Sequence, residues 1–231
     1  MILGQLSLLE QAIILLAAMI LFTSFSLLAQ TRLIATIHVF AWQGGLLALT
    51  TTLVALVSDQ AHLYISALLT LTLKALLIPW VLKRIALRLG IERQVETIIQ
   101  PSLILLGAAA LVVFSYYVAL PIERLSTLIT RNAIAISMAV VLLGLLMMIT
   151  RRQAITQVIG FMSMENGLLF AAVSATYGMP MVVELGIAFD VLVATVLFGI
   201  FFLKIRESID SLDVDRLNRL SEAQRPPGGG E

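Results

Sequence analysis

The chain has 231 residues, of which 60% are hydrophobic and only 13% are charged, roughly half the charged fraction of an ordinary soluble domain. This composition excludes a soluble enzyme and indicates an integral membrane protein. The net charge of +1 provides no basic surface, so no nucleic-acid partner is expected. Because the chain has no cysteine, it can form neither disulfides nor thiolate or iron–sulfur sites.

Seven apolar runs of about 20 residues follow one another along the chain, each long enough to cross the hydrocarbon layer as a helix. The predicted spans are 8–30, 34–57, 62–83, 101–121, 131–149, 154–175 and 181–203. No basic residue precedes the first span, so we interpret it as a retained helix and not as a signal peptide. The prediction is an all-α polytopic membrane protein with a transmembrane domain over 1–206 and a cytoplasmic tail over 207–231.

Lysine and arginine concentrate in alternate connections of this predicted bundle. Twelve of them would share one face and two the other, and positively charged loops stay in the cytoplasm. The twelve are Arg32, Lys83, Arg84, Arg88, Arg93, Arg151, Arg152, Lys204, Arg206, Arg216, Arg219 and Arg225; the two are Arg124 and Arg131. This asymmetry favours an odd number of helices, with the N-terminus outside and the C-terminus in the cytoplasm.

The connection after the third span has an apolar face opposite its cations. Residues 84–100 therefore fit either an amphipathic helix lying along the membrane surface or an extension of the third helix. Pro101 is expected to start the fourth helix in either case.

A faint internal repeat relates the two halves of the chain. The segment "QGGLLAL" in the second span aligns with "ENGLLFA" in the sixth, which places Gln43 opposite Glu165. After a shorter loop, "TLKALLIP" aligns with "AFDVLVAT", which places Lys74 opposite Asp190. The repeat predicts two related three-helix units, bridged by the fourth helix.

Four charged side chains lie beyond the first and last three residues of the predicted spans: Lys74, Glu165, Glu184 and Asp190. An ionised group at the centre of a spanning helix costs about 2.5–3.5 kcal/mol. These groups must therefore be paired, protonated or hydrated. A proton relay through all four is one interpretation, and a static lysine–carboxylate pair that only holds helices together is the other.

The hairpin formed by the last two spans sets the depths of the acids. Counted from Gly178, Glu165 and Asp190 both lie about 18–20 Å into the membrane, whereas Glu184 lies only about 9 Å from the turn. Three acids at two depths favour stepwise proton passage over a carboxylate dyad, and pairing with the single lysine would leave two acids without a basic partner. Gln43 and Lys74 should lie level with each other in the earlier hairpin.

Three polar side chains are candidates for supporting the charged ones: Gln43, Asn166 and His38. His38 and His62 are the only histidines, so a bis-histidine haem is not expected, and no cofactor is expected in this chain. The glycines Gly44, Gly45, Gly160 and Gly167 are expected to allow close contact between helices.

The stretches "TRRQAITQVIGFMSMENGLLFAAV", "VVELGIAFDVLVATVLFGIFF" and "SLDVDRLNRL" resemble the C-terminal half of hydrogenase-4 component E. Upstream, "LTLKALLIPWVLKR" resembles the third helix of the same family, and the resemblance covers most of residues 30–220. The final three helices also resemble the K subunit of respiratory complex I and the C subunit of multisubunit sodium/proton antiporters. Asp190 of this chain matches the third-helix glutamate of the K subunit. The second-helix glutamate of the K subunit aligns with Met162, one turn before Glu165.

The resemblance implies a non-catalytic subunit of an oxidoreductase complex such as formate hydrogenlyase, in the inner membrane of a prokaryotic cell. The implied partners are antiporter-like membrane subunits, the lipid bilayer and a cytoplasmic module with nickel–iron and iron–sulfur centres. Two alternatives remain open from the residues: a component of a multisubunit cation/proton antiporter, and a purely structural subunit.

Overall fold

The computed structural model describes residues 8–58, 61–88, 97–121, 128–176, 186, 188–196 and 199. Its helices are α1 (Leu8–Ala29), α2 (Leu33–Ser58), α3 (Ala61–Thr70), α4 (Ile78–Arg88), α5 (Pro101–Ala119), α6 (Leu128–Thr150) and α7 (Ala154–Thr176). A π-helical segment, Leu71–Leu77, joins α3 to α4, and residues 188–196 form a further helix, α8. The described chain contains no strand longer than an isolated bridge, and the predicted all-α fold is confirmed.

Five helical segments of the described chain are long and apolar enough to cross a membrane. They are Gln11–Ala29, Leu33–Ser58, Leu63–Leu87, Pro101–Ala119 and Asn132–Thr150. α7 is also 23 residues long. Among the described helices, the contact between α6 and α7 is the most extensive. The polytopic arrangement is confirmed, and the six spans predicted before the last each coincide with one of these helical segments.

The first residues of the connection between α4 and α5 agree with the predicted extension of the third helix. Residues 84–88 extend the third span as the end of α4, while 89–96 lie outside the described residues. The backbones of Thr97 and Arg151 then form an isolated antiparallel β-bridge, and the Ile98 amide donates to the Thr150 carbonyl at 2.9 Å. Pro101 begins α5, as predicted.

α2 and α6 organise the bundle. α2 contacts α1, α3, α4 and α7, whereas α6 contacts α1, α5 and α7. Two apolar clusters fill the interior at different depths. The first includes Leu27, Phe40, Ile78, Leu82, Met147 and Ile159, and the second includes Ile20, Leu47, Leu63, Val140 and Phe170. Four buried polar residues lie between these two clusters in sequence, which puts a polar layer at mid-depth: Gln43 on α2, Lys74 in the π-helical segment, and Glu165 and Asn166 on α7.

Arg151 ties the end of α1 to the loop between α6 and α7. Its buried guanidinium donates through Nη2 to the carbonyls of Leu28 at 2.5 Å and Gln30 at 3.1 Å, with a longer contact to Leu27 at 3.4 Å. These are the carbonyls that a helix leaves unpaired at its C-terminus, where a cation is also favoured. Burial lowers the pKa of Arg151 below its usual value, although arginine remains charged at neutral pH.

The close packing of α6 on α7 depends on glycine. A Cβ atom at Gly144 would lie 2.6 Å from the Met164 backbone nitrogen and 2.8 Å from the Gly160 carbonyl oxygen. The predicted close contacts are confirmed at Gly44, Gly160 and Gly167, but the prediction for Gly45 is wrong, because a Cβ there would meet nothing within 4 Å. Gly144 was not predicted.

Changing Gly144 to alanine should force α6 and α7 apart and destabilise the fold by about 1–3 kcal/mol, the usual cost of overpacking. Backbone atoms of α7 block the new methyl group, so rotamer changes cannot relieve the clash. Thermal unfolding of the purified protein in detergent measures the effect. Gly107→Ala is the matched control, because a Cβ there meets nothing within 4 Å; equal stability of the two variants would contradict the expectation.

Candidate proton-transfer site

Lys74 occupies the centre of the polar layer. Its side chain is 0% exposed, and its Nζ contacts Glu165 Oε2 and lies 3.3 Å from Asp190 Oδ1. Both carboxylates are buried, with Glu165 8% and Asp190 2% exposed. The three helical segments that carry these residues therefore meet at a single ammonium, and we call the three residues the charged cluster.

The backbone around Lys74 is unusual. Residues 71–77 form a π-helical turn, in which the Ile78 amide donates to the Leu73 carbonyl five residues earlier. Pro79 follows and has no N–H, so it cannot continue the hydrogen-bond ladder of a regular α-helix. Such π-helical turns are rare and occur often at functional sites. Here the turn carries the one buried lysine of the described chain.

Gly44 lets α2 approach this turn closely. A Cβ atom at position 44 would lie 3.1 Å from both the Lys74 Cβ and the Lys74 carbonyl carbon. A side chain here would have to push the lysine backbone away. Because Gly44 has no side chain, the neighbouring Gln43 can lie level with Lys74, as the sequence predicts.

A neutral network lies beside the charged cluster. The Asn166 side chain donates to Gln43 Oε1 at 3.1 Å, and Gln43 Nε2 donates to Ser24 Oγ at 2.8 Å. Ser24 donates in turn to the Ile20 carbonyl at 3.0 Å. Because Asn166 follows Glu165 on α7, this network fixes the side of α7 that bears the carboxylate, and it links α1, α2 and α7.

The structure brings together most of the predicted site residues. Glu165 and Asp190 lie at one depth, as the helix count predicts, and Gln43 and Asn166 support them. His38 is exposed on α2 and takes no part in the contacts just described. Glu184 falls at a position outside the described residues, so its predicted role stays a prediction.

One detail of the predicted arrangement is wrong. The sequence predicts that one lysine would leave two of the three acids without a basic partner, whereas Lys74 contacts both Glu165 and Asp190. The reason is the wide π-helical turn, which places the ammonium between α7 and α8 and not against one of them alone. Stepwise passage between two depths involves Glu184, which lies outside the described residues, and stays a prediction.

The cluster has more acceptors than donors. Glu165 Oε1 and Asn166 Oδ1 are buried and accept no hydrogen bond from the described residues, and Asp190 Oδ1 has its ion pair but no hydrogen bond. Two carboxylates and one ammonium carry a net charge of −1 when all are ionised. A single proton bound to either carboxylate would neutralise the cluster, and it could then move from one carboxylate to the other.

An apolar cavity of about 310 Å³ adjoins Glu165 between α7 and α8. Phe161, Met164, Leu168, Leu169, Gly186 and Phe189 line it together with the glutamate. The rings of Phe161 and Phe189 lie 5.5 Å apart, which brings the two helices together next to Asp190. No group of three histidine, aspartate or glutamate side chains that could hold a metal ion occurs in the part of the chain that the structure describes.

Sequence reasoning missed three features of this region. Ser24 was not predicted to join Gln43, and the role of Arg151 at the end of α1 was assigned only to orientation in the membrane. The π-helical turn was also missed, although Pro79, inside a long apolar run, is a signal that could have located it.

The chain is similar to an uncharacterized protein, Rv0085, from Mycobacterium tuberculosis, with 31% identity over 81% of this chain and 86% of the relative. It is also similar to hydrogenase-4 component E of Escherichia coli K12 and of Shigella flexneri, with 28% identity over 76% of this chain and 81% of each relative. No family model matches the chain, and no solved structure matches it. The two hydrogenase-4 proteins match most of a multi-pass helical chain whose motifs resemble theirs, and this similarity supports a relationship to the hydrogenase-4 component E family.

Proposed function

We propose that this protein is a membrane subunit of a multisubunit, complex I-like hydrogenase complex, and that its charged cluster transfers protons within the membrane. The family relationship and the apolar helices support the first part. The observation that carries the second part is the buried Lys74 shared by Glu165 and Asp190.

The charge count explains why this cluster suits proton transfer. A net charge held at the centre of a membrane is costly, by about 2.5–3.5 kcal/mol for one charged residue. A cluster of one cation and two anions reaches neutrality by holding one proton, which either carboxylate can accept. Lys74 would remain an ammonium throughout and stabilise whichever carboxylate is ionised. The proton would leave the carboxyl oxygen of one acid and bind to a carboxylate oxygen of the other, so the cluster would hold one proton before and after the transfer.

The chemistry that drives such transfer would lie outside this chain. In this proposal the chain is a non-catalytic subunit without a redox centre. Its partners are antiporter-like membrane subunits and a cytoplasmic module with nickel–iron and iron–sulfur centres. This chain's own residues would hold and pass the proton, and the hydrophobic clusters on either side would keep the cluster away from bulk water.

The test is to remove ionisation without changing shape. Glu165→Gln and Asp190→Asn should each assemble normally, because the amide keeps the size and hydrogen bonding of the acid. Proton uptake coupled to turnover should fall by about an order of magnitude or more, as for loss of a positioned proton-transfer group. Subunit abundance and proton uptake would be measured in the same membranes.

Thr195→Val provides the control for these variants, since Thr195 is an exposed polar residue of α8 whose hydroxyl donates only to the Val191 carbonyl. It should leave both measurements unchanged. If the cluster only holds the helices together, each single variant would leave the coupling of the assembled complex intact, and only the double variant Glu165→Gln, Asp190→Asn, which leaves Lys74 without a carboxylate, would lower assembly. Full assembly with undiminished coupling would falsify the relay.

The orientation in the membrane is a separate proposal, which the distribution of lysine and arginine supports. Because the chain has no native cysteine, single cysteines report their own position. Cysteines replacing Asp59 or Gly178 should react with a membrane-impermeant maleimide from outside the cell. Those replacing Arg88 or Arg219 should react only in inverted vesicles, and the reverse pattern would overturn the orientation.

A further inference from the structure

One face of α3 carries a line of buried hydroxyl groups that ends at Lys74. Ser66 and Thr70 precede the lysine by eight and four residues, and each is 1% exposed. Neither Ser66 Oγ nor Thr70 Oγ1 has a hydrogen-bond partner within the described ranges of the chain. Side chains four residues apart stack on the same face of a helix, about 6 Å from one another along its axis.

The facing helix adds a third hydroxyl to the same interface. Gly44 contacts Lys74, and seven residues later the same face of α2 carries Thr51, about 10 Å further along the helix. Thr51 is fully buried and donates to the Leu47 carbonyl at 2.9 Å, which leaves its oxygen free to accept. By this spacing Thr51 lies level with Ser66 and Thr70, between α2 and α3.

A buried hydroxyl that forms no hydrogen bond has lost its hydration without compensation, so two in a row on one helix face need an explanation. The spacing supplies one. Two hydrogen bonds of about 2.8 Å that meet at one water molecule at a roughly tetrahedral angle join oxygens about 4.5 Å apart, so two water molecules in series span the roughly 6 Å between these hydroxyls. Buried water typically bridges polar groups that have no other partner.

We propose that Ser66, Thr70 and Thr51 line a single file of water molecules between α2 and α3, which connects Lys74 to the membrane face where α2 ends and α3 begins. Ser66 is only five residues, about 7.5 Å, from the start of α3 at Ala61. Protons would pass along these water molecules between the charged cluster and that face. This inference rests on the proposed function, since it names the route by which the cluster is loaded or emptied.

The test measures access to the file without measuring transport. Ser66→Cys and Thr70→Cys would be introduced one at a time into the full complex, and Ag⁺ would be added to sealed vesicles. A thiol reacts as the thiolate, which forms in water and not in hydrocarbon. Protection of the cysteine from later alkylation in SDS reports the reaction, and the absence of native cysteine in this chain makes the signal specific.

Two neighbours on α3 without hydroxyl groups provide the controls: Ala67, which is buried, and Leu68, which is exposed. Ser66→Cys and Thr70→Cys should react at least about tenfold faster than Ala67→Cys and Leu68→Cys. They should also react faster when Ag⁺ is added to the face that carries residues 59–60. Rates no faster than those of the two controls would overturn the proposal.

A second measurement keeps the test decisive if a cysteine variant fails to assemble. Thr70→Val removes the hydroxyl with little change in shape, and proton uptake should fall about tenfold, the equivalent of one lost hydrogen bond in the path. Thr70→Ser should retain uptake, and so should Thr72→Val, whose exposed hydroxyl donates to the Leu68 carbonyl. Unchanged uptake in Thr70→Val overturns the file.

The two proposals fail in different ways. Silver reactivity at positions 66 and 70 does not depend on transport and should persist in the Glu165→Gln background. Slow reactivity together with loss of coupling in Glu165→Gln would remove the water file and leave the relay. Fast reactivity together with normal coupling in Glu165→Gln would remove the relay, and the file would then only hydrate Lys74.

Discussion

Replacing Lys74 with methionine is expected to prevent the chain from accumulating in its complex. Methionine fills a similar volume, but Glu165 and Asp190 would lose the one cation that contacts them among the described residues. Breaking a buried ion pair by removing one partner costs about 3–5 kcal/mol. That is a large share of the 5–15 kcal/mol that typically separates folded from unfolded proteins. Abundance of the subunit in purified membranes measures the effect.

Neutralising the whole cluster should rescue assembly. In the triple variant Lys74→Met, Glu165→Gln, Asp190→Asn, no charge remains buried, and uncharged groups of similar volume are tolerated where an unpaired charge is not. Assembly should recover while proton coupling stays absent. Lys83→Met is the matched control, since Lys83 is exposed on α4 and should tolerate the change. Normal accumulation of Lys74→Met alone would show that the cluster holds no net charge in need of compensation.

The sequence predicts the depth of the charged cluster because helix geometry is regular. Counting residues from the turn at Gly178 places Glu165 and Asp190 at one level, and both reach Lys74. The sequence also predicts that Gln43 lies level with Lys74, and the contact of the neighbouring Gly44 with Lys74 agrees with this. Helix periodicity and length are sufficient to predict these depths, because a polar group inside a membrane must find its partners within the protein.

The sequence does not predict what depends on contacts between distant helices. The direction in which Lys74 points is set by the π-helical turn, and Gly44 decides how closely α2 approaches it. Neither follows from hydropathy. Helix counting therefore gives the depth of each acid but does not predict that Glu165 and Asp190 converge on one ammonium. Ser24, a hydroxyl in an apolar helix, gives no sign that Gln43 lies across from it.

Arg151 shows the same limit from the opposite direction. In the sequence it is one of twelve cations on one face and serves only to orient the chain. In the structure it is 2% exposed and bonds to carbonyls more than 120 residues away. Its neighbour Arg152 is exposed. A charge count cannot distinguish the two, because their difference lies entirely in what surrounds them.

Replacing Arg151 with methionine should therefore destabilise the fold strongly. The variant keeps an apolar stem but removes the donors to Leu28 and Gln30, and leaves the carbonyls at the end of α1 without partners. Hydrogen bonds from a charged donor contribute about 1.5–3 kcal/mol each. We expect a loss of about 3 kcal/mol or more in the free energy of unfolding, measured by thermal unfolding in detergent.

Arg151→Lys should recover only part of this loss, because the lysine ammonium does not extend as far from the backbone as Nη2, the guanidinium nitrogen that makes the carbonyl contacts. Arg152→Met is the matched control and should change stability by less than about 0.5 kcal/mol, as expected for an exposed position. The loop that Arg151 begins leads directly into α7, and the Gln157 side chain donates to the Arg151 carbonyl at 2.9 Å. Loosening this loop should therefore also lower proton coupling, since α7 carries Glu165. Equal stability of Arg151→Met and Arg152→Met would show that the carbonyls at the end of α1 find other partners.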